Sequence, residues 1–393
     1  MAKICILTAL LFTPGGEQRV TTVIANELAK NNQLIIYTMD EEENRADSPY
    51  HLDPGIEIRY TKQPVYGFVN RCVRRLIRDI NEKTNILYQS KWAYKWLEFA
   101  YFQKSWQEQT LKELTKEPYD VILAVSGGNT LQLGLIADKL SCKTIGWEHN
   151  AFEAYFKIPG MYFYHQDQLF QRALKNLDSC VVLNEQISKQ YQEAFGKICE
   201  VIYNPRSFVS EEKSSLSKKT FVSCGRMIKQ KGYDLLMDAF YDFSKENQEW
   251  NLVIVGDGED RGMVEEKIAE YGLTDRVTIT GYTGDVKKYL LNASAYVMSS
   301  RWEGFPMVLT EAFEMGLPTV AFDISAVEPL LTEGKQGFLA KSYDTRDFAK
   351  QMLRMADATQ EMRREMAKNA ILKARSLSVE NIIKEWKQLL QAE

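Results

Sequence analysis

The chain has 393 residues, of which 45% are apolar and 26% are charged. This composition excludes a collagen-like, coiled-coil or largely disordered protein, and the length predicts about two to three domains. The formal net charge is −4, from 49 basic and 53 acidic residues. A slightly acidic chain of this kind is not expected to bind nucleic acid.

The N-terminal segment and the cysteines predict a cytoplasmic protein. Residues 1–12 are mostly apolar after one early lysine, which suits either a short signal peptide or a buried first strand. The segment runs into Thr-Pro-Gly-Gly rather than a small-residue cleavage site, which favours the strand. The six cysteines include no C-x-x-C pair, and several lie in apolar runs. We therefore expect buried free thiols in a reducing compartment.

In the first half of the chain, short apolar runs alternate with helical patterns. Buried strands are predicted at residues 3–8, 34–38, 120–125, 143–147 and 179–183. Helices are predicted at residues 17–30 and 129–140, where apolar side chains recur at helical spacing. Strands that alternate with helices in this way are typical of a parallel α/β sheet.

A further strand is predicted at residues 199–203. The second half repeats this pattern after a polar, serine-rich loop or linker at residues 204–220. Strands are predicted at residues 221–225, 252–256, 277–281, 295–299 and 318–322. The prediction is therefore two doubly wound, Rossmann-like domains, at residues 1–205 and 206–377. Residues 378–393 predict an amphipathic helix that can cross back and pack on the first domain.

Glycine and basic residues follow two of the predicted strands, where ligands bind in open α/β sheets. Gly15 and Gly16 precede a helix, so they form either a close backbone approach to a ligand or a plain tight turn. Arg226 directly follows strand 221–225, and Lys231 stands at the start of the next predicted helix. Two cations at one strand-to-helix turn favour diphosphate binding over a solvated basic loop.

A third segment places two glutamates around the start of a helix. Glu303 lies in the loop after a predicted strand, Pro306 suits the first helical turn, and Glu311 lies inside the helix. The carboxylates could accept hydrogen bonds from sugar hydroxyls, while backbone N–H groups at the helix start could bind phosphate oxygens. The alternative is a carboxylate that favours the helix dipole and an ordinary exposed helical glutamate.

Together these motifs resemble the retaining glycosyltransferases of family four, which have the two-domain GT-B fold. Residues 300–323 match the E-x7-E region of that family, with Glu303 and Glu311 as the two glutamates. Other parts of the family pattern are matched by Gly15–Gly16, Gly225–Arg226, Lys231–Gly232 and residues 253–260. The resemblance covers nearly the whole C-terminal half in order. In the N-terminal half it is confined to the first 30 residues and the region around His149.

This resemblance implies two Rossmann-like domains that face a cleft, and a role for each matched residue. The residues implied in donor binding are Gly15, Gly16, Arg226, Lys231, Gly304, Phe305 and Glu311. Of these, Arg226 and Lys231 would bind the diphosphate and Glu311 the ribose, while backbone near the others would complete the phosphate site. Glu303 and His149 would be the catalytic residues beside the donor sugar. Pro306 stands where some members have a second glycine, and it offers no N–H to a phosphate.

No metal and no cofactor beyond the nucleotide sugar is predicted. Residues 257–260 form the carboxylate cluster nearest a strand end, but acids there favour the start of the following helix. Gly256 and Gly258 lack the third glycine of a dinucleotide-binding fingerprint, because residue 261 is arginine. We therefore expect cationic side chains and helix dipoles to stabilise the departing diphosphate.

Residues 62–116 carry eleven basic and five acidic side chains, with aromatic residues between them. Basic and aromatic helices suit a membrane surface that carries anionic lipid. The alternative is a pair of helices packed on the sheet of the first domain. The membrane interpretation predicts a peripheral protein on the inner face of the membrane, where a lipid-linked acceptor would lie.

These features favour a retaining glycosyltransferase. It would move a hexose or N-acetylhexosamine from a nucleotide diphosphate sugar, with UDP as the favoured nucleotide, to a lipid-linked or cell-envelope glycan. One alternative keeps the fold and changes the reaction to that of a sugar-nucleotide epimerase or a phosphorylase. Another is a binding subunit without catalysis, although the intact set of Arg226, Lys231 and Glu303 speaks against it.

Overall fold

A computed structural model describes residues 1–46, 48–88 and 90–391, except for the side chain of Lys91. These residues form two compact units. Unit 1 comprises Met1–Tyr203 and the chain from Ile382 onward, and unit 2 comprises Asn204–Asn381. The chain passes between the units at Tyr203 and Asn204, beside the serine-rich segment.

Unit 1 is built on a seven-stranded parallel sheet, which has the predicted α/β character. Its strands are β1 (Lys3–Leu7), β2 (Gln33–Thr38), β3 (Glu57–Tyr60), β4 (Val121–Val125), β5 (Lys143–Trp147), β6 (Ser179–Val182) and β7 (Glu200–Val201). Their order is β3-β2-β1-β4-β5-β6-β7, so the order reverses between β1 and β4. Ligands of open α/β sheets bind at such a reversal, beyond the carboxyl ends of the strands.

In the described residues before Tyr203, eight α-helices accompany the sheet of unit 1. They are α1 (Gly16–Ala29), α2 (Phe68–Lys83), α3 (Tyr94–Tyr101), α4 (Lys104–Leu114), α5 (Ser126–Gly134), α6 (Phe152–Phe156), α7 (Asp167–Asn176) and α8 (Glu185–Phe195). The helix predicted at 129–140 begins earlier, at Ser126, because it starts directly after β4. It ends at Gly134 and is followed by a separate 3-10 turn, Ala137–Lys139.

Unit 2 has a six-stranded parallel sheet of the same type. Its strands are β8 (Thr220–Cys224), β9 (Asn251–Val255), β10 (Val277–Ile279), β11 (Ala295–Met298), β12 (Thr319–Phe322) and β13 (Gly337–Ala340). Their order is β10-β9-β8-β11-β12-β13. The helices are α9 (Tyr233–Glu246), α10 (Arg261–Glu270), α11 (Val286–Leu291), α12 (Met307–Glu314), α13 (Thr345–Asp357) and α14 (Gln360–Ser376). The two parallel, doubly wound sheets confirm the predicted fold class.

The last helix, α15 (Val379–Gln391), packs in unit 1. Trp386 is buried, and its ring lies 4.7 Å from that of Trp147 on β5. The Lys143 ammonium donates a 2.7 Å hydrogen bond to the Leu389 carbonyl. The last two residues of the helix predicted at 378–393 lie outside the described residues. An aromatic pair and a helix-capping cation therefore hold this helix on unit 1.

The cysteines differ in part from the prediction. All six are free thiols, and Cys5, Cys180, Cys199 and Cys224 are buried. Cys142 is only partly buried. Cys72 is exposed, because it lies on the outer face of α2.

Candidate active site

The loop after β8 is held in place by the loop after β9. The Gly225 N–H donates to the Val255 carbonyl at 3.0 Å, and the Met227 N–H donates to the Asp257 carbonyl at 2.8 Å. Gly256 has a φ of 149°, and a Cβ atom there would collide with the Gly225 carbonyl oxygen. The glycines after β9 therefore permit backbone contact between two loops, which explains them without a dinucleotide fingerprint.

Arg226 stands on this braced loop. Its side chain is exposed and makes no hydrogen bond or ion pair with any residue that the structure describes. The Tyr233 hydroxyl donates to the Gly225 carbonyl at 3.2 Å, which fixes the backbone just before Arg226. A guanidinium on a fixed backbone is well suited to bidentate binding of a phosphate.

Lys231 and Glu303 come together in unit 2, although 72 positions separate them in the chain. The Lys231 ammonium lies 2.7 Å from Glu303 Oε1, and the Glu303 side chain is only 8% exposed. Lys231 ends a 3-10 turn, and Gly232 follows it with a φ of 65°. A Cβ atom on Gly232 would collide with the Ser299 carbonyl oxygen, so glycine allows the Lys231 turn to approach the loop after β11.

Two further side chains hold Glu303, and sequence reasoning missed both. The Ser300 hydroxyl donates to Glu303 Oε1 at 2.8 Å, and the Gln230 amide donates to Oε2 at 3.2 Å. Their signals in the sequence are weak, because each is only a polar neighbour of a predicted residue. Together the three donors fix a buried carboxylate in one orientation.

The loop that carries Glu303 leads into α12. Gly304 and Phe305 are buried, and Pro306 occupies the N-cap position just before the helix. Because Pro306 precedes the helix, its lack of an N–H group does not remove any N–H group from the first turn of α12. Such N–H groups at a helix N-terminus attract anions. Glu311 is the fifth residue of α12 and is 9% exposed, in contrast to an ordinary surface glutamate.

Glu311 lies close enough to the end of β8 for its charge to affect the pKa of the Cys224 thiol. Burial raises the pKa of the Cys224 thiol, and the nearby Glu311 charge raises it further. The carboxylate of α12 and the carboxyl end of β8 therefore belong to one region of unit 2. The Arg226 loop begins at this same strand end.

An ion triad around the buried Glu314 stabilises the C-terminal end of α12. Glu314 lies 2.6 Å from both the Arg206 guanidinium and the Lys213 ammonium. Burial acts to raise the pKa of Glu314, but Lys213, the Ser210 N–H and Arg206 outweigh it and lower the pKa. The triad ties the serine-rich segment to the helix that carries Glu311, and sequence reasoning did not identify it.

Residues 257–260 are engaged in local structure. Asp257 forms a 2.9 Å ion pair with Arg261 and also accepts a hydrogen bond from the Gly258 N–H. Asp260 occupies the N-cap position of α10, but its side chain accepts no capping hydrogen bond. Within the described ranges, no group of three or more His, Cys, Asp or Glu side chains is placed to hold a metal ion.

In unit 1, Gly15 is the N-cap of α1 and Gly16 is the first residue of that helix. The Gly15 N–H donates to the Tyr50 hydroxyl at 2.9 Å, and the same hydroxyl donates back to the Gly15 carbonyl at 2.9 Å. The glycine turn is therefore fixed by Tyr50 at the carboxyl end of β1.

His149 follows the carboxyl end of β5, two strands away from Gly15. Its ring lies 4.4 Å from that of Trp147. Its Nε2 atom is buried and has no hydrogen-bond partner in the part of the chain that the structure describes. Burial lowers the pKa of His149 to about 3, so the imidazole is neutral at physiological pH.

Helix α2, in the basic and aromatic segment 62–116, packs inward through a mixed face, on which Ile77 joins the hydrophobic core. Asn81 is buried and donates to the His165 carbonyl at 3.0 Å, and Arg74 donates to the Ala100 carbonyl at 2.9 Å. The opposite face is apolar and exposed, and we call it the α2 stripe: Phe68, Val69, Cys72, Val73, Leu76 and Ile80. Trp92 and Trp96 are exposed nearby in the sequence, whereas Gln89 and the Lys91 side chain lie outside the described residues. None of the helices in the described ranges combines the length and the apolarity needed to span a bilayer.

Comparison with known proteins finds similar glycosyltransferases. Residues 207–373, which lie in unit 2, match the family model of glycosyl transferases group 1. The chain is 28% identical over 399 residues to an uncharacterized glycosyltransferase of Haemophilus influenzae, covering 99% of this chain and 100% of the relative. It is 26% identical to an α-1,4-N-acetyl-D-galactosaminyltransferase of Campylobacter jejuni, covering 99% and 98% of the two chains.

A solved structure has the same fold. A mutant of S. aureus TarM, crystallised with fondaparinux, alpha-GlcNAc-glycerol and UDP, covers 100% of both chains with a TM-score of 0.75 and 14% identity. The fold of this chain is therefore shared with the S. aureus protein. With the family match in unit 2 and the full-length relatives, it supports a transferase enzyme of the glycosyltransferase class.

Proposed function

We propose that the protein is a retaining glycosyltransferase. It transfers a hexose or an N-acetylhexosamine from a UDP-sugar to a lipid-linked or cell-envelope glycan. The observation that carries this proposal is the Lys231–Glu303 pair at 2.7 Å. The Lys231 side chain passes close to Gly225, the residue before Arg226, and Glu303 lies just before α12. UDP was bound in the crystal of the S. aureus protein, which supports the nucleotide.

The donor diphosphate would lie against Arg226, the Lys231 ammonium and the first-turn N–H groups of α12. Lys231 donates one hydrogen bond to Glu303, and its ammonium carries three donors in all. Glu311 would accept hydrogen bonds from the ribose, and Gly304, Phe305, Gly15 and Gly16 would offer backbone groups. Cations and a helix dipole would then stabilise the leaving diphosphate, so this binding mode needs no metal.

Retention is proposed from the resemblance to the retaining family. The glutamate of this site then decides the route, because it is poorly placed to act as a covalent nucleophile. Glu303 is buried and already accepts hydrogen bonds from Lys231, Ser300 and Gln230. We therefore favour a reaction on one face of the sugar. The bond from the anomeric carbon to the diphosphate oxygen breaks, and the acceptor oxygen forms the new bond. The hydroxyl proton passes to the departing phosphate.

The acceptor and its location are supported by the α2 stripe. An apolar stripe that faces water is costly, and basic side chains such as Arg71 and Arg75 are exposed on the same helix. An anionic membrane surface would cover the apolar side chains and attract the basic ones. The name of the Campylobacter jejuni relative specifies a glycan on PP-undecaprenol, which supports a lipid-linked acceptor.

The test begins with a thermal-shift screen of UDP-, GDP-, ADP- and TDP-sugars, followed by transfer assays with the donors that stabilise the protein. We expect a UDP-sugar to raise Tm and to yield a product that keeps the anomeric configuration. Transfer at the wild-type rate by Arg226→Ala and Glu303→Ala would contradict the site. An epimerised nucleotide sugar formed without acceptor would favour the epimerase, and UDP binding without turnover would favour a binding subunit.

A further inference from the structure

Unit 1 contains a buried carboxyl group that the proposed reaction does not use. Glu148 follows β5 directly and is 1% exposed. Neither of its oxygens has a hydrogen-bond partner within the described ranges, and the same holds for the buried Thr130 hydroxyl. Buried polar atoms without partners are uncommon in folded proteins, because losing water without a replacement bond costs free energy.

The groups that face Glu148 come from several elements, and none of them is a cation at neutral pH. They are Glu17 on α1, Thr130 on α5, Tyr155 on α6, Tyr191 on α8, Cys180 on β6 and the neutral His149 beside it. Burial raises the pKa of Glu148 to about 8. The nearby hydroxyls of Thr130 and Tyr155 act to lower the pKa of Glu148, although neither is placed to form a hydrogen bond with it. The Glu17 charge acts to raise the pKa of Glu148. At neutral pH, Glu148 is therefore mostly a neutral acid.

Tyr155 connects these surroundings to the turn that starts α5. The hydroxyls of Tyr155 and Ser126 lie 3.2 Å apart, and the Gly127 N–H donates to the Tyr155 hydroxyl at 3.3 Å. Ser126 has a φ of 71°, a left-handed conformation that a non-glycine residue rarely adopts. Strained residues persist where the surrounding structure holds them, and they cluster at functional sites.

The Ser126 turn and Glu17 flank the point where the strand order of unit 1 reverses. Glu17 follows β1, Ser126 follows β4, and these two strands are neighbours in the sheet. Burial raises the pKa of Glu17, while the Ser126 hydroxyl acts to lower it, so the two side chains lie close together. The carboxyl edge of β1, β4 and β5 thus brings together hydroxyl, carboxyl and imidazole groups that can bind a polyhydroxylated ligand.

We propose that Glu148 is a positioning residue, which holds the Ser126 turn in the arrangement that binds a sugar hydroxyl group at this edge. The inference rests on the proposed function, since it concerns the sugar used in transfer. Glu148 acts through Tyr155 and the turn, because its own carboxyl group is covered. Its ionisation would place a second negative charge near Glu17 with no cation beside it, and the edge would loosen.

The experiment compares wild type with Glu148→Gln, Glu148→Met and the control Glu193→Gln, which changes an exposed glutamate on α8. The UDP-sugar that stabilises the wild type in the screen is used for kcat/KM between pH 6 and 9.5. We expect wild type and Glu193→Gln to lose about tenfold between pH 7 and 9, as a group with a pKa near 8 ionises. Glu148→Gln stays neutral and polar, so it should change less than about twofold over that range.

The variant Glu148→Met distinguishes a positioning role of Glu148 from a role in which its side chain only fills space in the core. If Glu148 only occupies space, the apolar variant keeps full activity and is at least as stable. The proposal predicts the reverse for activity: at pH 7, kcat falls at least about tenfold in Glu148→Met and stays near wild type in Glu148→Gln. Equal activity of the two variants, or an alkaline decline in Glu148→Gln equal to that of wild type, would overturn the proposal.

A Tm series over the same pH range does not depend on activity. The folded protein binds the Glu148 proton more tightly than the unfolded chain, whose glutamates titrate near 4.5. This contribution is complete below the unfolded pKa and is lost as pH rises through about 8. We therefore expect the Tm of Glu148→Gln to fall less than that of wild type. Parallel Tm curves for the two proteins would contradict a protonated Glu148 in the folded protein. Absence of transfer by wild type would instead contradict the proposed function.

Discussion

Three buried glutamates, two in unit 2 and one in unit 1, have opposite surroundings. In unit 2, Glu303 accepts hydrogen bonds from Lys231, Ser300 and Gln230, and Glu314 lies between Arg206 and Lys213. In unit 1, Glu148 has no hydrogen-bond partner in the described part of the chain. A paired carboxylate stays charged and fixes its surroundings, whereas an unpaired one is stable only as the neutral acid.

This difference matches the chemistry proposed for each unit. A diphosphate is a permanent anion, and a site with charges already in place binds it without reorganisation. A sugar is neutral and offers hydroxyl groups, which suit a neutral polar edge. On this proposal, unit 2 would supply fixed charge and unit 1 would supply hydrogen-bonding groups, and the following experiments test this division.

The largest expected effect is on the free energy of unfolding, at the triad of Glu314, Arg206 and Lys213. Glu314→Ala leaves Arg206 and Lys213 without their shared carboxylate, so the free energy of unfolding should fall by about 3 kcal/mol. Urea unfolding at pH 7 measures this change, with the exposed Glu365→Ala as a control. Since the pKa of Glu314 is lowered, its stabilisation is present above the ordinary glutamate pKa and is lost as pH falls below it. Equal unfolding of the two variants would show that the triad contributes nothing.

One conservative substitution, made once in each unit, sharpens the comparison. Glu303→Gln removes the charge that Lys231 pairs with, so kcat/KM at pH 7 should fall at least about tenfold. Glu148→Gln replaces a neutral acid with a neutral amide and should change kcat/KM less than about twofold at that pH. Steady-state kinetics with one donor measures both. Similar losses in the two variants would remove the distinction between the units.

The smallest expected effect concerns the α2 stripe. Leu76 on α2 and Leu372 on α14 are both 60% exposed, which makes Leu76→Asp and Leu372→Asp a matched pair. We expect Leu76→Asp to lower binding to phosphatidylglycerol vesicles by about fivefold, whereas Leu372→Asp leaves it unchanged. Vesicle co-sedimentation, with phosphatidylcholine vesicles for reference, checks this. Equal binding by both variants would contradict a membrane role for the stripe.

The strands of both units that carry the site could be predicted from the sequence, because they are short apolar runs buried on both faces. Two edge strands, β3 and β13, were missed. The β3 sequence Glu57–Tyr60 mixes charged and apolar residues, and β13 begins with a glycine directly after the polar run 332–336. Edge strands are paired on one side only, so they need less apolar character.

The site residues could be found one at a time, but not their contacts. Glu303 and Lys231 each stood out beside a strand end, yet their pairing depends on how two loops meet across the sheet. The partners of Glu314 come from the serine-rich segment, which carries no motif. For α2, amphipathic periodicity predicts a helix but not which face turns inward. Asn81 and Arg74 decide this through hydrogen bonds to distant carbonyl groups.

The proposed binding of UDP to unit 2 is tested most directly by calorimetric titration of wild type, Arg226→Ala and Arg364→Ala. Arg364 is likewise an exposed arginine of unit 2, on α14, and makes no ion pair with the residues described. If Arg226 contacts the diphosphate, Arg226→Ala weakens UDP binding at least about tenfold, while Arg364→Ala binds like wild type. Equal affinity of Arg226→Ala and wild type for UDP would contradict the diphosphate site.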